Sequence, residues 1–422
     1  MYIYGIVAYC VYLYIDIHCY IHMLIIYTHI IYTFICIFYI GVRITNFYGN
    51  YFIRGQDLLA LPNCNSDSVY AVDLTYDEPT LSAQVITIQA ALLYTSSNGE
   101  RRIRVHTHVL PVTQSIPEVI ESIDIDSIVN IFIKQAVDIA IKTGFENARS
   151  RVHQLAVEIL RGTKPQIPGF SGIPGGIPGQ LSGSGPGGYG QPQQYGQQQS
   201  QQSDTPIPIT LQLLPLYAMA IQKSLVLRGG TEVRTDERAF YHHLVGNMDV
   251  EDSKVFVYPR LFSLHDLSEE AGLPCTQVEG EGERDVDTVV GPFRIKLPYI
   301  LNLSHERLMS DGIYLLENGY ELVLWVGRSV SPTLLYSLFG IQSIEGVDMS
   351  TLELHTADNT TPTTNGDNNG DNSDGNDTYL NRIHAIIVGL RQVRSRYMYM
   401  RIIREGDGPG EAYLARYLVE DR

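Results

Sequence analysis

Two stretches of this chain cannot belong to any folded core. Residues 162–205 pass from Gly, Pro and Ser into a Gln-rich tract, Gln191–Gln202, and residues 356–377 are mostly Asn, Asp, Gly and Thr. Such segments bury too little apolar surface to offset the entropy lost on ordering them. Both read as insertions, so the structured elements must assemble from the blocks around them. An acidic stretch at residues 266–290, with Glu279, Glu281, Glu283, Asp285 and Asp287, reads as a solvated loop and separates the blocks further.

The first block is anomalous. Residues 2–40 carry Asp16 as their only formal charge and consist largely of Tyr, Ile, His and Thr. Their length permits a membrane span. Against that, His18, His22, His29 and tyrosines spread along the whole stretch bring polar tips that need partners in hydrocarbon, whereas tyrosines of real spans gather at the interfaces. No basic start and no small-residue cleavage site marks a secretory signal. Codons such as TAT, ATA, CAT and ACA encode these residue types, so translated repetitive DNA is the favoured account of residues 1–47, ahead of a membrane anchor and a buried strand region.

Ordinary globular text follows. Val85–Thr95 and Arg101–Leu110 alternate like strands, and Asn98-Gly99 between them is a hairpin signal. In the second strand Ile103, Val105 and Thr107 alternate with Arg102, Arg104 and His106, which predicts Ile103 and Val105 pointing inward and the arginines outward. From Asp126 the period becomes helical, with Val129, Phe132, Ile133, Ala136, Val137 and Ala140 on one face. Ala148, Val152, Leu155, Ala156 and Ile159 repeat it after Gly144. Helices are predicted within Leu211–Leu227 and over Asp236–Val245, followed by a short extended run at Val255–Pro259. Past the acidic loop, Gly312–Glu317 and Leu322–Val326 flank Asn318-Gly319 as a second hairpin. Ser331-Pro332 opens a helix over 331–339, Ile383–Leu390 mark another, Tyr397–Ile403 a strand and Glu411–Tyr417 a last helix. The order suggests a mixed sheet packed by helices.

Charge and chemistry narrow the function. With 46 acidic against 30 basic residues the formal charge is −16, which argues against a nucleic-acid grip. The five cysteines include no CxxC pair, fitting a reducing compartment. There is no G-x-S-x-G, H-E-x-x-H or P-loop, so no enzyme is expected. His106 and His108 lack further ligands for a metal, and nothing near Cys275 would activate its thiol. Asp358, Asp367, Asp371, Asp374 and Asp377 do not keep the spacing of a calcium loop. Two basic clusters stand out on this acidic chain, Arg101/Arg102/Arg104 and Arg391/Arg394/Arg396/Arg401/Arg404. Either is a solvated charged face or a mark of an anionic partner. The first is the candidate binding face, for an acidic signal or a lipid headgroup.

Several runs carry a resemblance. Gly99-Glu100-Arg101-Arg102-Ile103-Arg104-Val105-His106-Thr107, Leu213-Leu214-Pro215-Leu216-Tyr217-Ala218, Thr235-Asp236-Glu237-Arg238-Ala239, Tyr258-Pro259-Arg260-Leu261, Gly312–Gly319, Leu324-Trp325-Val326-Gly327, Arg394-Ser395-Arg396-Tyr397-Met398 and Leu418-Val419-Glu420-Asp421 occur in that order. Together they resemble the C-terminal half of the cargo-adaptor subunit of the COPII inner coat, in the branch of the vertebrate C and D paralogues. The resemblance covers about residues 48–422. It implies an α+β multidomain fold: a partial antiparallel β-sandwich at 48–112, an all-α helical domain at 113–265 and a gelsolin-like mixed α/β domain at 291–422. It also implies a non-catalytic adaptor in endoplasmic reticulum to Golgi transport. The expected partners are the GTPase-activating subunit of the coat as heterodimer partner, the coat's small GTPase, the cytosolic tails of cargo membrane proteins and a peripheral membrane contact, with no nucleic acid. Its place would be cytoplasmic, on endoplasmic reticulum membranes and coated vesicles. The family's zinc finger, von Willebrand-like trunk and half of its sandwich have no match here, Cys64 and Cys275 cannot supply the zinc site, and the family's closing helix is missing after Asp421. No cofactor is therefore expected. The alternative is a membrane-anchored gelsolin-like protein that binds calcium or actin.

Overall fold

The computed structural model describes residues 32–38, 42–55, 58–61, 68–77, 83–163, 207–230, 232–275, 288–355, 373–394 and 396–421. Residues 1–31 of the apolar stretch, most of the 162–205 insertion, residues 276–287 of the acidic loop and residues 356–372 lie outside them. The architecture is α+β, as expected, with a β unit, a helical unit and a mixed sheet flanked by helices.

The β unit comprises β1 (Tyr32–Phe38), β2 (Val42–Tyr48), β3 (Phe52–Ile53), β4 (Leu58–Leu61), β5 (Ala71–Tyr76), β6 (Val85–Thr95) and β7 (Arg101–Pro111). Five of them form an antiparallel sheet in the order β3-β4-β1-β6-β7, and β2 and β5 form a separate two-stranded ribbon. The predicted hairpin is present. Ser96 and Glu100 close its turn, and Gly99 adopts φ 80°, which a side chain would strain. One sheet face is covered. Leu59, Leu61, Ala90, Leu92 and Tyr94 are buried there, with Ile44 and Phe47 of β2 packed against them. The β region therefore starts earlier than the Tyr48 boundary drawn from composition. β1 pairs with β4 on one side and β6 on the other, because a β-branched and aromatic run supplies strand residues whatever its bias.

The helical unit holds α1 (Ile116–Glu121), α2 (Ile125–Thr143), α3 (Phe145–Gly162), α4 (Leu214–Lys223), α5 (Thr235–Asn247) and α6 (Val250–Val257). Asp124 caps α2 by accepting from the Asp126 and Ser127 amides. Gly144, at φ 100°, makes the corner into α3. The apolar stripe of α2, from Ile128 to Ala140, is buried, and α3, α4, α5 and α6 surround it. The extended run expected at Val255–Pro259 is instead the end of α6, a helix capped by Asp249. Val255, Phe256 and Val257 are all buried. A short helix enclosed on several sides reads as a continuous apolar run, which periodicity cannot tell from a strand.

The last unit begins at β8 (Arg260–Ser263), inside the segment assigned above to the helical domain. It continues with β9 (Val289–Val290), β10 (Ile295–Lys296), β11 (Ile300–Leu301), β12 (Ile313–Glu317), β13 (Glu321–Val326), α7 (Pro332–Phe339), α8 (Ser373–Gln392), β14 (Tyr399–Arg404) and α9 (Gly408–Ala415). The sheet order is β11-β8-β12-β13-β14, with β13 and β14 parallel. Both faces are buried. Leu315, Leu322 and Leu324 join Ile383, Ile386 and Leu390 of α8, while Leu316, Val323 and Trp325 join the helical unit's core. That explains why β12 and β13 are apolar at successive positions instead of alternating.

Candidate functional site

The predicted basic face lies on β7, and the pairing decides where its side chains go. Arg102 stands opposite Tyr94, Arg104 opposite Leu92 and His106 opposite Ala90. Opposite residues share a face, so Arg102 and Arg104 lie on the face that the β2–β5 ribbon approaches. Ile103 and Val105 lie on the other. They are 68% and 52% exposed, whereas Arg104 is half-buried. The inward placement of Ile103 and Val105 is thus reversed. Alternation puts isoleucine and arginine on opposite faces, but the ribbon's position decides which face is covered. The structure also splits the arginine trio. Arg101 shares the Ile103 face and donates to Thr95 Oγ1, while Arg102 donates from Nε to Glu100 Oε2 at 3.1 Å. Both partners in the second contact are exposed, so it holds the side chain only weakly. His106 keeps a buried Nε2 without a hydrogen-bond partner.

A second arrangement escaped the sequence and joins the helical unit to the mixed sheet. Glu317, at the end of β12, is fully buried. Arg260 of β8 reaches its Oε2 from Nε at 2.8 Å and from Nη2 at 2.7 Å. Arg394, just beyond α8, reaches its Oε1 from Nε at 3.0 Å and from Nη2 at 2.8 Å. The remaining Nη1 of Arg394 pairs with Asp252 Oδ1 at 2.6 Å, in the first turn of α6. Burial pushes the Glu317 carboxyl up, but the two guanidinium groups outweigh it and hold the group below its ordinary range. At Asp252 the balance reverses. Burial raises the group to about 6 although Arg394 pulls it down. Arg394, placed by sequence in a basic surface cluster, is therefore an internal tie between domains.

Asp252 carries a pH dependence with a definite sign. An unfolded Asp titrates near about 3.9, so between that value and about 6 the folded state holds more of this proton. Stability contributed by Asp252 is complete below the unfolded value and is lost as pH rises through about 6. The stability difference between the wild-type chain and Asp252→Asn should therefore shift against the wild type from pH 4 to pH 7. Urea unfolding across that range checks this, and parallel pH curves would refute it.

The chain's closing motif has a similar role. Lys223 Nζ, at the end of α4, donates to the Val419 carbonyl at 2.7 Å. Glu420 accepts from Asn302 Nδ2 at 3.0 Å and the Leu303 amide at 3.2 Å, and Asp421 accepts from the His305 amide. Leu418–Asp421 thus fastens the last turn of the chain to both units.

Among the described residues no group of three or more His, Cys, Asp or Glu side chains is arranged to hold a metal ion, and no helix is long and apolar enough to cross a membrane. Asp358, Asp367 and Asp371 of the calcium alternative lie outside the described residues, and Asp374 and Asp377 fall in the first turns of α8.

Comparison with known proteins accounts for this domain order. The profile of the Sec23/Sec24 beta-sandwich domain matches residues 40–113, that of the Sec23/Sec24 helical domain residues 189–255, and that of the gelsolin repeat residues 294–366. The protein transport protein sec24 of Aspergillus niger is 31% identical over 389 residues, covering 90% of this chain and 36% of that protein. Mouse Sec24A is 31% identical over 382 residues, covering 90% of this chain and 29% of its own length. The chain thus spans about a third of the curated relatives it matches. The crystal structure of the human COPII-coat protein Sec24c shares the fold, with a TM-score of 0.68 at 24% identity over 93% of this chain and 43% of that one.

Proposed function

On the premise that this chain resembles the Sec24 proteins, with Sec23/Sec24 β-sandwich and helical domains followed by a gelsolin repeat, we propose that it serves as a non-catalytic cargo adaptor of the COPII coat. The observation that carries the proposal is this domain order, held over 90% of the chain by similarity to Sec24 proteins. In this role it binds the GTPase-activating subunit and the small GTPase of the coat, selects the cytosolic tails of cargo membrane proteins, and works as a peripheral protein on endoplasmic reticulum membranes and coated vesicles. No cofactor is needed for such binding.

Of the predicted trio, Arg102 and Arg104 are the residues we assign to contact with acidic signals, Arg101 lying on the opposite sheet face. Arg102 and Arg104 share one face beside Tyr94, and the weak exposed pair with Glu100 is readily exchanged for a carboxylate of a peptide. Such contact is electrostatic and weakens with salt. In a fluorescence titration with an acidic cargo-tail peptide, Arg102→Glu/Arg104→Glu should weaken binding about tenfold at low salt and less at high salt. Affinity unchanged by the double variant would remove the arginines from the site.

A further inference from the structure

We propose that the outer edge of β14, with the aromatic and basic residues around it, is a docking site for an extended acidic peptide that adds to the sheet as a strand. Among the described residues β14 pairs with β13 alone and ends the five-stranded sheet. Among the described residues no loop or strand makes backbone hydrogen bonds to Tyr399–Ile403 on the other side. An edge of this kind offers a row of donors and acceptors to an incoming strand. Its neighbouring side chains are unlike the rest of this acidic chain. Tyr397 and Tyr399 are 65% and 77% exposed, with ring centroids 5.4 Å apart, edge to face. The Arg391 guanidinium lies 4.7 Å from the Tyr397 ring centroid, and that of Arg401 lies 4.4 Å from the Tyr413 centroid. Arg396 lies close enough to Tyr320, in the β12–β13 turn, to act on it electrostatically.

The occupant follows from charge and geometry. Among the described residues no carboxylate pairs with Arg391, Arg396 or Arg401, on a chain of formal charge −16. Stacking on rings leaves guanidinium N–H groups able to bind carboxylates. Alternation along β14 places Tyr399 and Arg401 on one face, while Ile402 is buried on the other. An added strand would therefore present alternate side chains to the Tyr399–Arg401 face. Acidic residues at those positions complement the site. Tyrosine and arginine are also the residue types that dominate binding hot spots. The inference does not rest on the coat reading, since the edge and its charges are properties of this sheet alone.

The test uses the full chain and a labelled heptapeptide, Glu-Val-Asp-Val-Glu-Val-Asp, followed by fluorescence anisotropy. Arg396→Glu/Arg401→Glu should weaken binding about tenfold or more, and the same peptide N-methylated at alternate amides should lose comparable affinity. Arg102→Glu/Arg104→Glu is measured alongside, since the peptide can also reach that face, and Arg151→Glu, a partly exposed arginine of α3 that belongs to neither site, should leave this binding unchanged. Because Arg401 packs on Tyr413, Tyr399→Thr serves as a second variant at an exposed position; each variant must keep the wild-type circular dichroism spectrum. The proposal is overturned if the N-methylated peptide binds equally, since attraction without strand pairing would then suffice. It is equally overturned if only Arg102 and Arg104 matter, if the edge joins two copies of this chain and the peptide does not compete, or if residues 276–287 fill it and the peptide binds only after their deletion.

Discussion

Replacing Arg394 by methionine should lower the unfolding free energy by about 3–5 kcal/mol, the range observed when one partner of a buried ion pair is removed. Arg394 is 3% exposed and Glu317 fully buried, and three of the guanidinium nitrogens are engaged by two carboxylates. Methionine fills similar space but leaves Asp252 without its cation and Glu317 with Arg260 alone. Both acids would then be buried with too little positive charge, and their protonation would partly relieve the cost. The loss should therefore be smaller at pH 5 than at pH 8. Calorimetry of the full chain should show the shift, and Arg394→Met/Asp252→Asn should recover much of it because the acid left without its cation is gone. A methionine variant as stable as the wild type at pH 8 would show that the tie contributes nothing. Since Asp252 belongs to α6 and Glu317 to β12, the damage should fall on the contact between helical unit and sheet.

Gly327→Ala should be nearly as damaging, at about 3 kcal/mol, the upper part of the range for forcing extra volume into a packed site. The residue closes the Leu324-Trp325-Val326-Gly327 run. A Cβ built there would stand 2.1 Å from the Ser310 carbonyl oxygen and 2.5 Å from its carbon. Those are backbone atoms, so no side-chain rotation relieves the clash. The Gly327 amide also donates to the Gly312 carbonyl at 2.9 Å, and the Ser329 amide to the Ser310 carbonyl at 2.8 Å. Moving Ser310 away would strain this pair of crossing segments. Thermal unfolding measures the effect directly. Gly346→Ala is the contrast: no atom lies within 4 Å of its added Cβ, although its φ of 72° adds backbone strain. If both substitutions cost the same, close packing at Gly327 is not the cause.

Much of this architecture was legible in the chain. The 98–99 and 318–319 turns, the α2 stripe and the Ser331-Pro332 start each follow from local chemistry that tertiary contacts did not overrule. Local signals failed where an element is enclosed on several sides or where bias concealed a strand. The Val255–Val257 triplet looked extended because every residue of it is buried, and β1 was hidden in a stretch whose composition suggested no fold. Arg260, Glu317 and Arg394 all fall within the motifs quoted for the family resemblance, yet no spacing rule links positions this far apart.

The sequence alone determined the kind of most elements, because these depend on caps, turns and periodicity within a few residues, and its resemblance to a family implied the order of domains. It also determined that Ile103 and Arg104 point opposite ways. Only the tertiary structure decided which of them faces cover, since that depends on where the β2–β5 ribbon packs. Only the tertiary structure separated Arg394, a buried tie, from Arg401 at an exposed edge. Both arginines carry the same charge and lie in one basic run; what distinguishes them is whether a distant chain segment brings a carboxylate within hydrogen-bonding reach.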